Sequence, residues 1–152
     1  MSDVKTLLEV AFMFKHGRGV VQDLKEAANW VRLAADQGDA SAQYALGVMY
    51  HYGRGVVQDH KEAAKWFRLV AAQGDADSAE AQFHLGDMYK DGLGVVQNYV
   101  QAHMWYNLSA ANGYPDVFKQ RDEVATKMTS AQIAQAQEMA QRCQASNYKN
   151  CD

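Results

Sequence analysis

The sequence predicts an all-α protein, an α/α superhelical solenoid of three helix-hairpin repeats followed by a two-helix C-terminal cap. Two observations support this prediction. A segment of 24 residues occurs three times, and apolar residues recur at helical spacing within each copy. Residues 17–40 and 53–76 are identical at 19 of 24 positions, and residues 92–115 keep 11 identities with the second copy. Self-similarity of this kind indicates that each copy is one structural module.

The second helix of each module has a recognisable start and end. Asp23, Asp59 and Asn98 precede the apolar pattern, and each is followed three residues later by Glu or Gln. This is the spacing of a capping box, in which the first side chain accepts a hydrogen bond from a free backbone N–H of the first turn. Glycines that favour left-handed backbone then end these helices. They are Gly38, Gly74 and Gly113.

One tryptophan recurs at the same phase in each module, at Trp30, Trp66 and Trp105. We expect these indoles to fill the space between paired helices rather than to form a ladder for ligand stacking. The third module follows its predecessor by 39 residues instead of 36. Because Asp77 and Glu80 have capping-box spacing, we expect its first helix to begin one turn earlier.

The chain is interpreted as a single repeat domain over residues 1–152. The predicted parts are repeat 1 over about 3–38, repeat 2 over about 39–74, repeat 3 over about 75–113, a helical cap over 116–146 and a tail over 147–152. The cap helices are expected over about 116–128 and 130–145. We expect the tail to be frayed from Ser146 onward.

The first helix, predicted over about residues 3–15, carries more apolar surface than one neighbouring helix can cover. Its apolar side chains are Val4, Leu7, Leu8, Val10, Phe12, Met13 and Phe14. Three explanations remain open: an upstream repeat covers the helix, the chain self-associates, or the patch is tolerated in solvent.

Composition and charge limit the classes of function. Hydrophobic residues make up 48% and charged residues 22%, which indicates a folded chain. The net charge of −3 and the lack of a basic stripe argue against a nucleic-acid partner. Because the sequence shows neither an apolar run of membrane-spanning length nor a signal peptide, we expect a cytoplasmic protein without a membrane partner. With a missing upstream signal, the expectation becomes a periplasmic or secreted protein.

The two cysteines, Cys143 and Cys151, lie close to the C-terminus and outside the repeats. A bridge between them requires an oxidising compartment. The cytoplasmic expectation therefore favours two free thiols.

No residue pattern predicts catalysis, a metal site or a cofactor. The histidines form no His-x-x-x-His pair and have no metal-ligand spacing with the cysteines. His84 and Asp87 are three residues apart, which is more typical of a surface histidine beside a carboxylate than of a general base or a metal site. The sequence thus predicts a protein that is not an enzyme.

The residues of the second module resemble a known repeat. The run 42–50, followed by Gly53, Gly55, Trp66 and Gly74, resembles the Sel-one-like repeat, a tetratricopeptide-like helix hairpin of about 36 residues. The resemblance covers about residues 7–115. Since members of this family are mostly adaptors and scaffolds, it implies a scaffold for protein–protein interaction that binds a partner segment in a concave groove.

Two alternatives to the scaffold remain. One is a structural or self-associating fragment of a larger repeat protein, with self-association through the apolar N-terminal helix. The other, less favoured, is a β-lactam-binding or β-lactam-hydrolysing enzyme like the cysteine-rich relatives. Those relatives carry a disulfide in every repeat, and this chain lacks the corresponding cysteines.

The resemblance also implies which residues face the groove, because the first helix of each hairpin lines it. The implied residues are Lys5, Leu8, Phe12, Lys15 and His16 in repeat 1, Ser41, Tyr44, Val48, His51 and Tyr52 in repeat 2, and Glu80, Phe83, Asp87, Lys90 and Asp91 in repeat 3. This set is aromatic at one end and charged at the other. Such a mixture suits an extended or helical peptide segment of a protein partner.

Overall fold

Eight α-helices lie in residues 3–74 and 76–152, which are the residues that the computed structural model describes. They are α1 (Val4–His16), α2 (Leu24–Asp36), α3 (Ala40–Tyr52), α4 (His60–Ala71), α5 (Ala79–Asp91), α6 (Tyr99–Ala111), α7 (Val117–Ala125) and α8 (Ser130–Ala145). Among the described residues, no helix combines the length and the apolar content that a transmembrane span requires.

The chain divides into two compact units, residues 1–66 and residues 67–152, called unit 1 and unit 2 below. In unit 1, α2 packs against both α1 and α3. Its core joins Leu7 of α1, Val31 of α2 and Leu46 of α3, all of which are buried. Leu7, one of the apolar residues of the first helix, is therefore covered by the neighbouring helices of unit 1.

In unit 2, α6 packs against α5, α7 and α8. Fully buried side chains come from all four helices, including Leu85, Tyr106, Val117 and Cys143. A Cβ atom added at Gly86 would overlap the ring of Tyr106, so glycine at this position lets α5 and α6 approach closely.

The predicted helix starts are confirmed. The side-chain oxygens of Asp23, Asp59 and Asn98 accept hydrogen bonds from the backbone N–H three residues later, at 3.1, 3.2 and 3.1 Å. At α8, Thr129 and Gln132 form a complete reciprocal capping box. Cap spacing therefore marks the starts of α2, α4, α6 and α8.

Each repeat contains the sequence Val-Val-Gln, at residues 20–22, 56–58 and 95–97. The glutamine has a structural role that the sequence analysis missed. Gln22 Nε2 donates a hydrogen bond to the Lys15 carbonyl oxygen at 2.8 Å, and Gln58 Nε2 donates to the His51 carbonyl oxygen at 2.9 Å. Each glutamine therefore satisfies a free carbonyl in the last turn of the first helix of its repeat.

An arginine–tyrosine pair links successive repeats within each unit. Arg32 Nη2 on α2 donates to the Tyr50 hydroxyl on α3, and Arg68 Nη2 on α4 donates to the Tyr89 hydroxyl on α5. The guanidinium carbons lie 5.6 and 5.9 Å from the centroids of the same rings. Each pair joins the second helix of one repeat to the first helix of the next.

The predicted early start of α5 is wrong. α5 begins at Ala79, 39 residues after the start of α3, and the residues before it form a 3₁₀ turn, Ala76–Ser78. The inserted residues are therefore absorbed by the turn rather than by the helix. The predicted start of repeat 3, residue 75, lies outside the described residues, as do residues 1 and 2. The seventh helix is also shorter than predicted, since it covers Val117–Ala125.

The prediction of a frayed tail is wrong. Asn112 Nδ2 donates a hydrogen bond to the Tyr148 hydroxyl at 3.1 Å, and the Tyr148 ring lies where a Cβ atom on Gly74 would be. Arg68 Nη1 lies 3.0 Å from Asp152 Oδ1. These contacts attach the tail to the body of unit 2.

The prediction of two free thiols is also wrong, because Cys143 and Cys151 form a disulfide. The turn that follows α8 brings their Cα atoms to 4.4 Å from one another. Tyr148 lies inside this turn with φ of 64°, a left-handed conformation that costs a residue other than glycine about 1–3 kcal/mol. The bridge and the Tyr148 contacts together hold this conformation.

Candidate functional site

Unit 1 contains an apolar pocket of about 560 Å³ between α1 and α3, called the unit 1 pocket below. Its lining residues are Leu8, Ala11, Phe12, Lys15, Leu24, Ala27, Val31, Ser41, Tyr44, Ala45, Val48, Met49 and Arg54. Leu8, Phe12 and Lys15 have i, i+4, i+7 spacing, so they share one face of α1. Residues of α2, such as Val31, complete the lining.

Six of the ten residues predicted for the groove in repeats 1 and 2 come together here. They are Leu8, Phe12, Lys15, Ser41, Tyr44 and Val48. Their contact with a partner stays a prediction, but their arrangement around one pocket follows from helical spacing on α1 and α3. The remaining lining includes Leu24 and Arg54, which sequence reasoning missed because they adjoin the turns rather than the first helices.

Phe12 is the most exposed large apolar side chain of the unit 1 pocket. It keeps 48% of its surface accessible, although it lies in the middle of α1. Its ring lies 4.3 Å from that of His16, and the Arg18 guanidinium lies 5.3 Å from its centroid. The apolar excess expected on the first helix is therefore present as open surface at Phe12, while Leu7 and Ala11 are buried.

A second, more open pocket of about 680 Å³ shares part of this surface. It is lined by Val4, Lys5, Leu8, Glu9, Phe12, Met13 and Asp39. Lys5, predicted for the groove, belongs here and not to the unit 1 pocket. The charges of this second pocket are mixed.

The other residues predicted in unit 1 are placed outside the unit 1 pocket. The His51 ring lies edge-on to Tyr52 at 4.7 Å and to His60 at 5.0 Å between centroids. Tyr52 is exposed, and the Arg54 guanidinium lies 5.8 Å from its ring. These rings form a cluster at the C-terminal end of α3, whereas His16 contacts Phe12.

In unit 2, part of the predicted surface is used internally. The Tyr106 hydroxyl donates a 2.5 Å hydrogen bond to Asp87 Oδ1, and Lys90 Nζ lies 3.8 Å from the same oxygen. Burial raises the pKa of Tyr106, and the hydrogen bond to Asp87 raises it further. Asp87 therefore stabilises the α5–α6 pair.

Glu80 and Phe83, also predicted for the groove, lie close to Tyr114 in a part of unit 2 that is rich in negative charge. Phe83 stacks on Tyr114 with centroids 4.8 Å apart. Burial raises the pKa of Tyr114, and the negative charges of Glu80, Asp87 and Asp116 raise it further. A polar pocket of about 430 Å³ holds the last two predicted residues. Its lining is Lys90, Asp91, Tyr99, Glu123, Val124 and Lys127.

The structure gives His84 and Asp87 separate contacts. The His84 ring stacks on Phe67 with centroids 4.8 Å apart, while Asp87 accepts from Tyr106. Within residues 3–74 and 76–152, no group of three or more His, Cys, Asp and Glu is placed to hold a metal ion.

His103 is buried in unit 2, and we expect it to make the free energy of unfolding depend on pH. Burial lowers its pKa and the positive charge of Arg121 lowers it further, against a smaller opposing effect of Asp122. Its Nδ1 lies 3.0 Å from Asn107 Nδ2, so the neutral ring accepts the amide hydrogen bond. Because the unfolded chain binds this proton first, we expect the free energy of unfolding to decrease as the pH falls below about 6.5.

Urea unfolding at a series of pH values measures this effect. His103→Gln, which cannot titrate, should show a flatter dependence between about pH 7 and 5 than the parent. Equal slopes for the two proteins would show that His103 does not cause the dependence.

These helix pairs, repeated in sequence and joined by equivalent contacts, define an all-α helical-repeat protein. The chain belongs to the Sel1 repeat family, whose family model matches residues 5–39, 40–75 and 79–114. The match confirms both the resemblance and the predicted fold class, a solenoid of helix-hairpin repeats. The exact repeat boundaries stay a prediction.

Solved structures of the same fold are similar to this chain. One is a Sel1 repeat protein from Oxalobacter formigenes, with 36% identity and a TM-score of 0.68 over 78% of this chain and 47% of that one. Another is c5321, a protective antigen present in uropathogenic Escherichia coli strains and displaying an SLR fold. It shares 30% identity, with a TM-score of 0.81 over 97% of this chain and 32% of its own.

This chain therefore spans about half and about one third of the lengths of these two proteins. None of the curated proteins compared with it matches significantly. Sel1 repeat proteins belong to the tetratricopeptide-like superfamily, whose members are commonly protein-interaction scaffolds and generally not catalysts.

Proposed function

We propose that this chain is a protein-interaction scaffold whose unit 1 pocket binds a segment of a partner protein. The supporting observation is the open apolar pocket itself. Its volume of about 560 Å³ falls within the range of about 300–1,000 Å³ typical of binding sites. Phe12 keeps nearly half of its surface accessible there, and exposed aromatic side chains in a concave apolar surface are typical interaction anchors.

The polar groups of the pocket favour binding over catalysis. In the described part of the chain they come from Lys15, Ser41, Tyr44 and Arg54. This set offers no carboxylate or imidazole as a base for Ser41, which is what nucleophilic catalysis requires. We therefore propose that the chain is not an enzyme.

The disulfide supports a location different from the one that the sequence predicts. Bridges such as Cys143–Cys151 persist in oxidising compartments and are rare in the cytoplasm. We therefore infer that the chain works in the periplasm or outside the cell.

The scaffold proposal is tested by affinity capture with a matched pair of variants. Phe12→Glu places a charge in the pocket, and Leu33→Glu places one on an equally exposed apolar residue of α2, since both side chains are 48% exposed. We expect Phe12→Glu to lose partners that the parent and Leu33→Glu retain, as measured by quantitative mass spectrometry of captured proteins. Burying a glutamate against the apolar lining costs several kcal/mol, enough to abolish a micromolar interaction.

Circular dichroism first establishes that both variants keep the helicity of the parent. The same set of partners for all three folded proteins would contradict the pocket assignment. A mass that rises with concentration by light scattering and returns to that of a monomer in Leu8→Glu would favour the self-associating alternative instead.

A further inference from the structure

The charged side chains that line the unit 1 pocket are of one sign. Lys15 and Arg54 are the charged residues that line it, and both are basic. Lys15 lies in the last turn of α1, and Arg54 lies two residues beyond the end of α3. Arg18 adds a third cation at Phe12, 5.3 Å from the ring centroid. The pocket thus has an apolar body and a cationic edge where the two helices end.

These cations have no internal counter-ions in residues 3–74 and 76–152. The ion pairs formed there involve other residues, and none brings a carboxylate to Lys15, Arg18 or Arg54. Glu9 and Asp39 line the neighbouring open pocket instead. The C-terminus of a helix carries the equivalent of about half a negative charge. Two helix ends therefore cannot offset three cations, and positive charge remains at the edge.

The cationic edge is a local feature. Residues 1–66 contain eight basic and eight acidic residues, so unit 1 as a whole is balanced. Residues 67–152 contain seven basic and ten acidic residues, and the corresponding helix of unit 2, α5, carries three carboxylates, Glu80, Asp87 and Asp91, against one lysine, Lys90. A carboxylate is therefore favoured at the unit 1 pocket and disfavoured at α5.

We propose that the unit 1 pocket binds a protein segment in which large apolar side chains are flanked on one side by aspartate or glutamate. The apolar side chains enter between Phe12 and Val48, and the carboxylates pair with Lys15 and Arg54. This proposal rests on the proposed function, because it names the chemistry of the segment that the scaffold holds. Buried apolar anchors supply affinity, while charges at an exposed edge mainly set selectivity and the rate of association.

The test uses the full chain and three labelled peptides with the same apolar core of leucine and phenylalanine. The peptides differ only in the residues on one side of the core, which are glutamate, glutamine or lysine. By fluorescence anisotropy at low ionic strength, we expect the glutamate peptide to bind at least about tenfold more tightly than the glutamine peptide. The lysine peptide should bind most weakly, and added salt should reduce the differences through screening.

Charge-reversal variants locate the effect. Lys15→Glu/Arg54→Glu should make the lysine peptide the tightest binder. Lys25→Glu/Lys61→Glu is the matched control, since it makes the same change of charge at exposed residues outside the pocket. It should keep the preference for glutamate. Because Lys15 also stabilises the end of α1, melting curves must show that both variants are folded, and Lys15→Gln/Arg54→Gln serves as a milder replacement.

The outcomes separate this inference from the proposed function. Equal binding of the glutamate and glutamine peptides, abolished by Phe12→Glu, overturns the acidic preference and keeps the scaffold. The acidic preference is also overturned, and the scaffold kept, if none of the three peptides binds while a captured partner still depends on Phe12. A single-stranded oligonucleotide that binds through Lys15 and Arg54 better than any peptide would overturn the inference in favour of a nucleic acid. The scaffold proposal itself is contradicted only if the parent and Phe12→Glu capture the same partner proteins.

Discussion

Replacing Trp105 by alanine is expected to lower the free energy of unfolding by about 3–5 kcal/mol, the usual cost of truncating a buried tryptophan. Trp105 is only 2% exposed and lies on α6, the helix that packs against α5, α7 and α8. Loss of the indole therefore opens a cavity at the centre of unit 2. Urea unfolding followed by circular dichroism measures the change.

Two substitutions test the cause. Among the described residues the Trp105 Nε1 has no hydrogen-bond partner, so Trp105→Phe removes an unsatisfied donor and keeps much of the ring volume. We expect it to cost about 1–2 kcal/mol, well below the alanine variant. Trp66→Ala should also cost less than Trp105→Ala, since Trp66 is only half-buried. Equal losses for Trp66→Ala and Trp105→Ala would contradict the argument from burial.

Reduction of the Cys143–Cys151 disulfide is expected to lower the free energy of unfolding by about 2–3 kcal/mol. The bridge joins residues eight apart, and closing a loop of this size restricts the unfolded chain by about that amount. Urea unfolding with and without a thiol reductant measures the difference.

Cys151→Ser provides the control. It leaves Cys143 buried in α8, should match the reduced parent in stability, and should be insensitive to the reductant. If reductant converts both cysteines of the native parent to thiols without changing its unfolding curve, the bridge does not stabilise unit 2.

Helix starts and ends were predictable because their signals lie within a few residues. α8 has the predicted bounds, and the caps at Asp23, Asp59 and Asn98 form as their spacing indicates. The same local reasoning was wrong at Asp77, where the cap spacing is present but the backbone forms a 3₁₀ turn. Capping spacing therefore favours a helix start but does not by itself select one, and α5 and α7 begin without a side-chain cap.

Contacts between distant residues explain what the sequence could not predict. Tyr148 accepts a hydrogen bond from Asn112, and its ring packs against Gly74. These two residues lie 36 and 74 residues earlier in the chain. No pattern within the tail itself indicates these contacts. The expectation of free thiols likewise depended on an assumed compartment, whereas the turn after α8 brings the two cysteines together.

The candidate site was predictable on helices and not at turns. The resemblance to the Sel-one-like repeat implied that Phe12, Tyr44 and Val48 face a groove, and they do line one pocket. Arg54 was missed because only first-helix positions were counted, although its place directly after Gly53 was visible in the sequence. Asp87 was assigned to the groove, but Tyr106, 19 residues later, uses its carboxylate.

The arginine–tyrosine pair makes the middle repeat a self-complementary building block. It carries Tyr50, which accepts from the preceding repeat, and Arg68, which donates to the following one. In the first repeat Phe14 stands at the tyrosine position, and in the third Asn107 stands at the arginine position. Tandem copies of residues 39–74 would therefore supply both halves of the contact at every junction, which makes this repeat the natural template for engineered arrays of chosen length.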